Sequence, residues 1–210
     1  MSVREVSLDP GDWGAAGAEL KELRKETVPV VLGVARRGDP GTSPLTLDVG
    51  GVTSVLRGVE RMPGPVVLAL DGMLGASELA LACACAVTCL GPGGGIGAIG
   101  AADALALGLA GRLTARVGAA GAARLLLDSA DPSRIAAGIT LGLMRPAADP
   151  LAEARAAAAR LDDPATRLLL RSLAFAARGT PAQAAAYDTE LLALLDPYDE
   201  PQTDRPERPR

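Results

Sequence analysis

A chain of 210 residues is long enough for one sizeable core, and 49% of it is hydrophobic while only 2% is aromatic, so that core has to be built from closely packed Ala, Leu, Val and Gly. The formal charge of −4 comes with 19 Arg and two Lys, Lys21 and Lys25, scattered without a basic stripe, which argues against a nucleic-acid partner. There is no His, which excludes the usual general base, the usual metal ligand and every His-dependent nucleophilic triad, and leaves acid–base chemistry to carboxylates, Tyr, Cys or Lys.

The opening MSVREVSLDPGDW carries charges throughout and has no basic–apolar–small targeting pattern. Within it REVSLD reads as a short strand. Two further apolar runs, VPVVLGVAR at 28–36 and GPVVLALDG at 64–72, read as buried strands. GDWGAAGAELKELRKE and LTLDVGGVTSVLRGVERM, which separate them, repeat apolar residues at helical spacing. The order is β-α-β-α-β, which implies parallel strands joined by crossover helices.

ELALACA then reads as a helix leading into AVTCLG as a strand. Cys83, Cys85 and Cys89 form C-x-C-x3-C. Zinc pairs normally use a C-x2-C turn, so these residues read as small hydrophobes of the core, free thiols in a reducing compartment, and no metal is expected. The glycine-rich GPGGGIGAIG at 91–100 lacks the Lys-Ser/Thr of a phosphate loop and the acidic ribose ligand of a dinucleotide site, and reads as a turn between two strands.

From there the chain is helical in character: AADALALGLAGRLTARVG, AAGAARLLLD and DPSRIAAGITLGL, where Asp131-Pro-Ser is a helix-start signal, then a C-terminal section from DPLAEARA to ELLALL. The expected division is a core at 1–143, a helical section at 144–196 and a proline-rich, charged, disordered tail at 197–210. No apolar stretch runs unbroken to the ~20 residues of a bilayer. The expectation is a soluble cytoplasmic protein with no membrane partner.

One short region carries a family resemblance. Ala69-Leu-Asp-Gly72, Gly75-Ala-Ser-Glu78-Leu-Ala80 and Cys83-Ala84 match, in order, a strand ending A-x-x-G, a loop G-G-G-x-E-L-A and a following C-D; Gly111-Arg112-Leu113-Thr-Ala-Arg116-Val117-Gly118 is similar to Q-R-L-x-R-x-V-G. These are motifs of the crotonase, or enoyl-CoA hydratase/isomerase, superfamily, which the chain resembles over roughly residues 28–195. The resemblance implies an α/β fold, a crotonase-like ββα spiral core with a helical C-terminal section. It further implies a substrate that is an acyl thioester of CoA or of a carrier protein, with CoA or phosphopantetheine as part of the substrate and no separate cofactor.

In that family two backbone N–H groups bind the thioester oxygen as enolate charge develops on it. By resemblance Gly75 supplies one. The other falls in Arg36–Ser43, where spacing does not choose between Gly38 and Gly41; Gly38 is carried forward. Glu78 takes the position of the first of two water-splitting glutamates. Counting forward from Glu78 and back from Arg112 places the second at Ala98, where there is no carboxylate; Asp103 is the nearest in sequence. Ala76 and Ala98 are assigned by the same resemblance to the substrate site. The loop before Glu78 is two residues shorter than the family form.

A structural reading stands beside each. Glu78 at a helix start would satisfy free N–H groups and the helix dipole, worth some 0.3–1 kcal/mol. Asp71 reads as a turn residue. Arg112 and Arg116 read as solvated helix charges, the alternative being CoA phosphate ligands, and no role is drawn for Tyr187 or Tyr198 near the end. The resemblance leaves two functions open. One is an enzyme working through an oxyanion-stabilised enolate, by isomerisation, dehydration or decarboxylation, in bacterial specialised metabolism such as polyketide tailoring. The other is a non-catalytic partner that stabilises or stimulates a neighbouring biosynthetic enzyme. A homotrimer or hexamer through the C-terminal helices, with TRLLLRSLAFAARG as a candidate face, is the expected assembly.

Overall fold

Three strands, β1 (Arg4–Leu8), β2 (Val30–Val34) and β3 (Val66–Leu70), alternate with two helices, α1 (Trp13–Leu23) and α2 (Val49–Glu60), in the computed structural model, which describes residues 3–9, 12–34, 48–127, 133–176, 180–192 and 194. Gly38 and the tail at 197–210 lie outside the described residues. The strands are parallel and in simple register, Leu32 opposite Leu68 and Val6 opposite Leu32. Each helix starts on an aspartate: Asp12 accepts a hydrogen bond from the Ala15 N–H at 3.0 Å, and Asp48 from the Gly51 N–H at 2.9 Å.

The chain continues through β4 (Met73–Leu74), α3 (Ala76–Ala84), β5 (Val87–Leu90) and β6 (Gly95–Ile96) into α4 (Ala101–Ala106), α5 (Leu109–Leu127) and α6 (Ser133–Thr140). The glycine-rich segment turns between β5 and β6, with the Gly94 N–H donating to Gly91 O. Inside α5, Gly118 has φ 76°, which breaks the helix where the sequence divides two apolar patterns. Next come β7 (Arg145–Pro146) and α7 (Pro150–Leu161), started by Asp149 and by Pro150 in the first turn. Among the described residues the main sheet runs β1-β2-β3-β5-β7, all parallel, and β4 pairs with β6 in a separate parallel pair. This is the α/β architecture that the alternation of strands and helices implies.

Both faces of the sheet are covered, and for this reason its strands read as continuous apolar runs. Val30, Leu32, Val66, Leu68 and Leu70 face the core shared with Leu20 of α1, Val52, Val55, Leu56 and Val59 of α2, and Leu79 of α3. Val31, Val67, Ala69 and Cys89 face the other way, onto Ala154, Ala157 and Ala158 of α7. Those three alanines fall one turn apart on one side of the helix, so its backbone can approach the strands closely.

The chain divides into two compact units, Met1–Asp162 and Asp163–Arg210; α7, which the sequence groups with the C-terminal helices, belongs to the first. In the second, α8 (Pro164–Ala176) and α9 (Pro181–Leu192) stack Phe175 on Tyr187 with ring centroids 4.4 Å apart. Asp163 accepts from the Thr166 N–H and hydroxyl, and those bonds hold its carboxyl below the usual range. Among the described residues no helix is long and apolar enough to cross a membrane.

Candidate active site

The region of interest begins where β3 ends. After Leu70 come Asp71 and Gly72, whose φ of 131° is open to glycine and strained for any residue with a Cβ. That turn releases Met73 and Leu74 to pair with Gly95 and Ile96, and the Gly97 N–H extends the pairing to Leu74 O at 2.9 Å. The short pair holds the strand-to-helix connection, so that Gly75 is the cap and Ala76 the first residue of α3.

Glu78, third in the helix, is 2% exposed. Its Oε2 accepts hydrogen bonds from the Gly75 N–H at 2.9 Å and from the Ser77 hydroxyl at 3.0 Å. Its Oε1 is buried with no hydrogen-bond partner. The carboxylate lines a cavity of about 10 Å³ with Val34, Leu70, Asp71, Gly72, Met73 and Leu74, space for about one water. Asp71 reaches over the next strand's end, where a Cβ on Gly91 would lie 2.6 Å from its Oδ1.

One carboxylate oxygen is thus anchored by two donors while the other is buried without a partner, in a residue that lines a small cavity. A carboxyl group held in this way is positioned to exchange a proton with an atom brought against Oε1. The Gly75 N–H, which the resemblance assigns to a thioester oxygen, is engaged by Glu78 itself.

The other sequence candidates are dispersed around this point. Ala76 is buried beside Glu78 but does not line the cavity. Ala98 is exposed, in the loop after β6. Asp103 sits in the first turn of α4, its carboxylate next to Gly100. Arg112 pairs with Glu60 and donates to Leu107 O at 3.3 Å, while Arg116 donates to Cys85 O at 3.2 Å and Ala86 O at 2.9 Å, closing the end of α3. Sequence reasoning gave Asp71 only a turn role, and it overlooked Ser77. The adjacency of Ser77 to Glu78 at a helix start was the available signal.

Among the described residues no three His, Cys, Asp or Glu side chains gather as a metal site would require. Cys85 is 1% exposed, and burial pushes its thiol from 9.0 up to about 12. Between those values the unfolded chain has released this proton and the native chain still holds it. Stability therefore falls as pH rises above about 9, by about 1.4 kcal/mol per pH unit. Urea midpoints followed from pH 7 to pH 10 are expected to drop more steeply for the wild type than for Cys85→Ala; parallel curves would remove the thiol from the account.

No protein-family model matches the chain, and no curated protein matches it by sequence. Solved structures do match. A protein from Streptomyces coelicolor A3(2) assigned as an enoyl-CoA hydratase superposes with a TM-score of 0.70 at 23% identity, over 94% of this chain and 84% of that one. One from Mycobacterium abscessus assigned as an enoyl-CoA hydratase/isomerase gives 0.69 at 19% identity, over 90% and 80%. An enoyl-CoA hydratase from Mycobacterium smegmatis gives 0.65 at 16% identity, over 92% and 86%. With its parallel sheet, its β4–β6 pair and this agreement across nearly the whole chain, the protein has the crotonase, or enoyl-CoA hydratase/isomerase, fold.

Proposed function

We propose that the protein acts on an acyl thioester of CoA or of a carrier protein, with Glu78 moving a proton at a carbon next to or conjugated with the carbonyl. The observation that carries this reading is the asymmetric carboxylate: Oε2 is fixed by Gly75 and Ser77, while Oε1 is buried and unpartnered in a residue that lines the cavity. A single mobile proton suffices for double-bond isomerisation, where the same group removes it at one carbon and returns it at another through the enolate. Hydration with two carboxylates is disfavoured by Ala98. Decarboxylation and elimination of a 3-hydroxyl remain accessible to the same site. CoA or phosphopantetheine arrives as part of the substrate, and the setting we infer is cytoplasmic specialised metabolism, the protein assembling as a trimer or hexamer.

For the thioester oxygen to reach the Gly75 N–H, Glu78 Oε2 has to release it. Substrate binding and carboxylate release are therefore coupled in this reading. Incubation with 2-enoyl, 3-enoyl, 3-hydroxyacyl and malonyl-type thioesters, followed by mass spectrometry, is expected to give conversion of 3-enoyl to 2-enoyl substrates. Conversion of none of them, together with no saturable binding, would overturn the proposal.

A second reading has its own observation. The donor that would hold the oxyanion is already bonded within the chain, and the cavity beside it holds about one water. Both favour a fold kept as a non-catalytic partner of a biosynthetic enzyme, the reading left standing if no thioester binds.

A further inference from the structure

The crossover helices α1 and α2 lie side by side on one face of the sheet, with Gly17 against Ser54 and Gly58 against Leu20. Above this close contact runs a groove of about 450 Å³. Lys21 and Arg24 line one wall and Arg57 and Arg61 the other. Most other described arginines with bonded side chains meet carboxylates: Arg4 meets Glu26, Arg112 meets Glu60, Arg155 meets Glu5, and Arg145 and Arg160 both meet Glu153. Among the described residues none of the four groove cations is in an ion pair. Among the acids of these helices, Glu22 pairs with Lys25 and feels the Lys21 charge only more weakly, Glu60 pairs with Arg112, and Asp48 accepts from the Gly51 N–H. Four positive charges thus line one groove on a chain whose net charge is −4.

Their spacing is regular. Lys21 and Arg24 are three residues apart and Arg57 and Arg61 four, one helical turn in each case, or about 4.5 and 6 Å along the axis. A helix with carboxylates one turn apart presents charges at the same interval. The walls offer Thr53 and Ser54 hydroxyls, Val49 and glycine backbone but no aromatic ring on which a nucleotide base could stack.

Topology also separates the groove's four cations from the cavity at Glu78. A crossover helix starts at the C-terminal edge of the strands, where Asp71 and Gly72 follow β3, and ends at the opposite edge. All four cations lie in the second half or at the end of their helices. Their ligand is therefore anchored at the sheet edge away from the reacting group.

We propose that the α1–α2 groove docks an acidic helical segment of a partner protein, its carboxylates bridging Lys21 and Arg24 on one side and Arg57 and Arg61 on the other. The inference stands independently of the reading of Glu78. The probe is a short fluorescent helical peptide carrying Glu at one-turn intervals on one face, with a Gln-substituted peptide as control, titrated against the full chain and followed by anisotropy. The Glu peptide is expected to bind saturably, to weaken as salt rises, and to lose about tenfold or more in affinity for R57E/R61E and, separately, for K21E/R24E. Matched circular dichroism and melting of each variant would confirm that the fold is kept. Absence of salt-sensitive binding, equal binding of the Gln peptide or undiminished binding to both variants overturns the proposal. Displacement of the peptide by free coenzyme A or pyrophosphate also overturns it, by making the groove a site for small phosphates.

Discussion

Glu78→Gln is expected to reduce turnover of the best thioester by about 10²–10⁴-fold, the range by which a positioned acid or base accelerates a step. The amide can still accept from the Gly75 N–H and the Ser77 hydroxyl through its oxygen, so the local geometry survives, but it no longer takes up or delivers a proton. Its NH2 group takes the buried position of Oε1, which has no hydrogen-bond partner, at a cost to stability of about 1–3 kcal/mol. Glu78→Ala separates the two functions of the residue. It removes the acid–base group as completely, yet frees the Gly75 N–H that Glu78 Oε2 now occupies. The alanine variant is therefore expected to bind thioesters more tightly than the glutamine variant while turning them over no faster. Calorimetric titration with a non-reactive thioester, alongside steady-state kinetics, reads the difference. Turnover that persists in both variants would move the chemistry away from Glu78, and equal thioester affinity would disprove the competition for the Gly75 N–H.

The largest effect on stability is expected at Leu68. It lies at the centre of β3, fully buried, opposite Leu32 on one side and Thr88 on the other. Truncation to Ala removes three side-chain carbons from a site that strands on both sides and helices above keep from collapsing. The expected cost is about 3–5 kcal/mol, a large share of the roughly 5–15 kcal/mol that ordinarily holds a protein folded. Trp13, the one tryptophan, is buried in the same core, so its fluorescence reports that unit during urea unfolding. As a control, Leu169→Ala on α8, where the side chain is 65% exposed, should fall within about 0.5 kcal/mol of wild type. A loss below about 1 kcal/mol at Leu68 would mean that the core relaxes around the gap.

The legible parts of the fold are those where many residues repeat one requirement. VPVVLGVAR and GPVVLALDG are apolar on both sides because α2 and its neighbours cover one face and α7 the other, and the spacing of Val52, Val55, Leu56 and Val59 announces α2. The two-residue strands β4 and β7 were not legible, and β6 only as an unplaced strand after the glycine-rich turn. Two residues carry no periodicity, and their pairing depends on segments distant in sequence.

At the site, the motif positions led to Glu78 and Gly75, and the structure brings them together. What the motif could not disclose is that they bond to each other. A glutamate three residues after a helix cap is the spacing of a reciprocal helix cap as well as that of the family motif, so one pattern served two readings. Asp71 became visible as a cavity residue only through the turn at Gly72. The four groove cations are far apart in sequence, and only the packing of α1 on α2 makes them one patch.

The two-sided sheet also bears on synthesis. The face formed by Val31, Val67 and Ala69 waits for Ala154, Ala157 and Ala158, and β5 has no outer neighbour until Arg145 and Pro146 arrive. At ordinary elongation rates the interval from Ala69 to Ala154 is on the order of ten seconds. During that time a nascent chain already able to pair β1, β2 and β3 displays a bare apolar surface and an open strand edge. A ribosome stalled before residue 145 would hold a species prone to pair with its neighbours, and chaperone capture of such stalled chains should cease once α7 has left the exit tunnel.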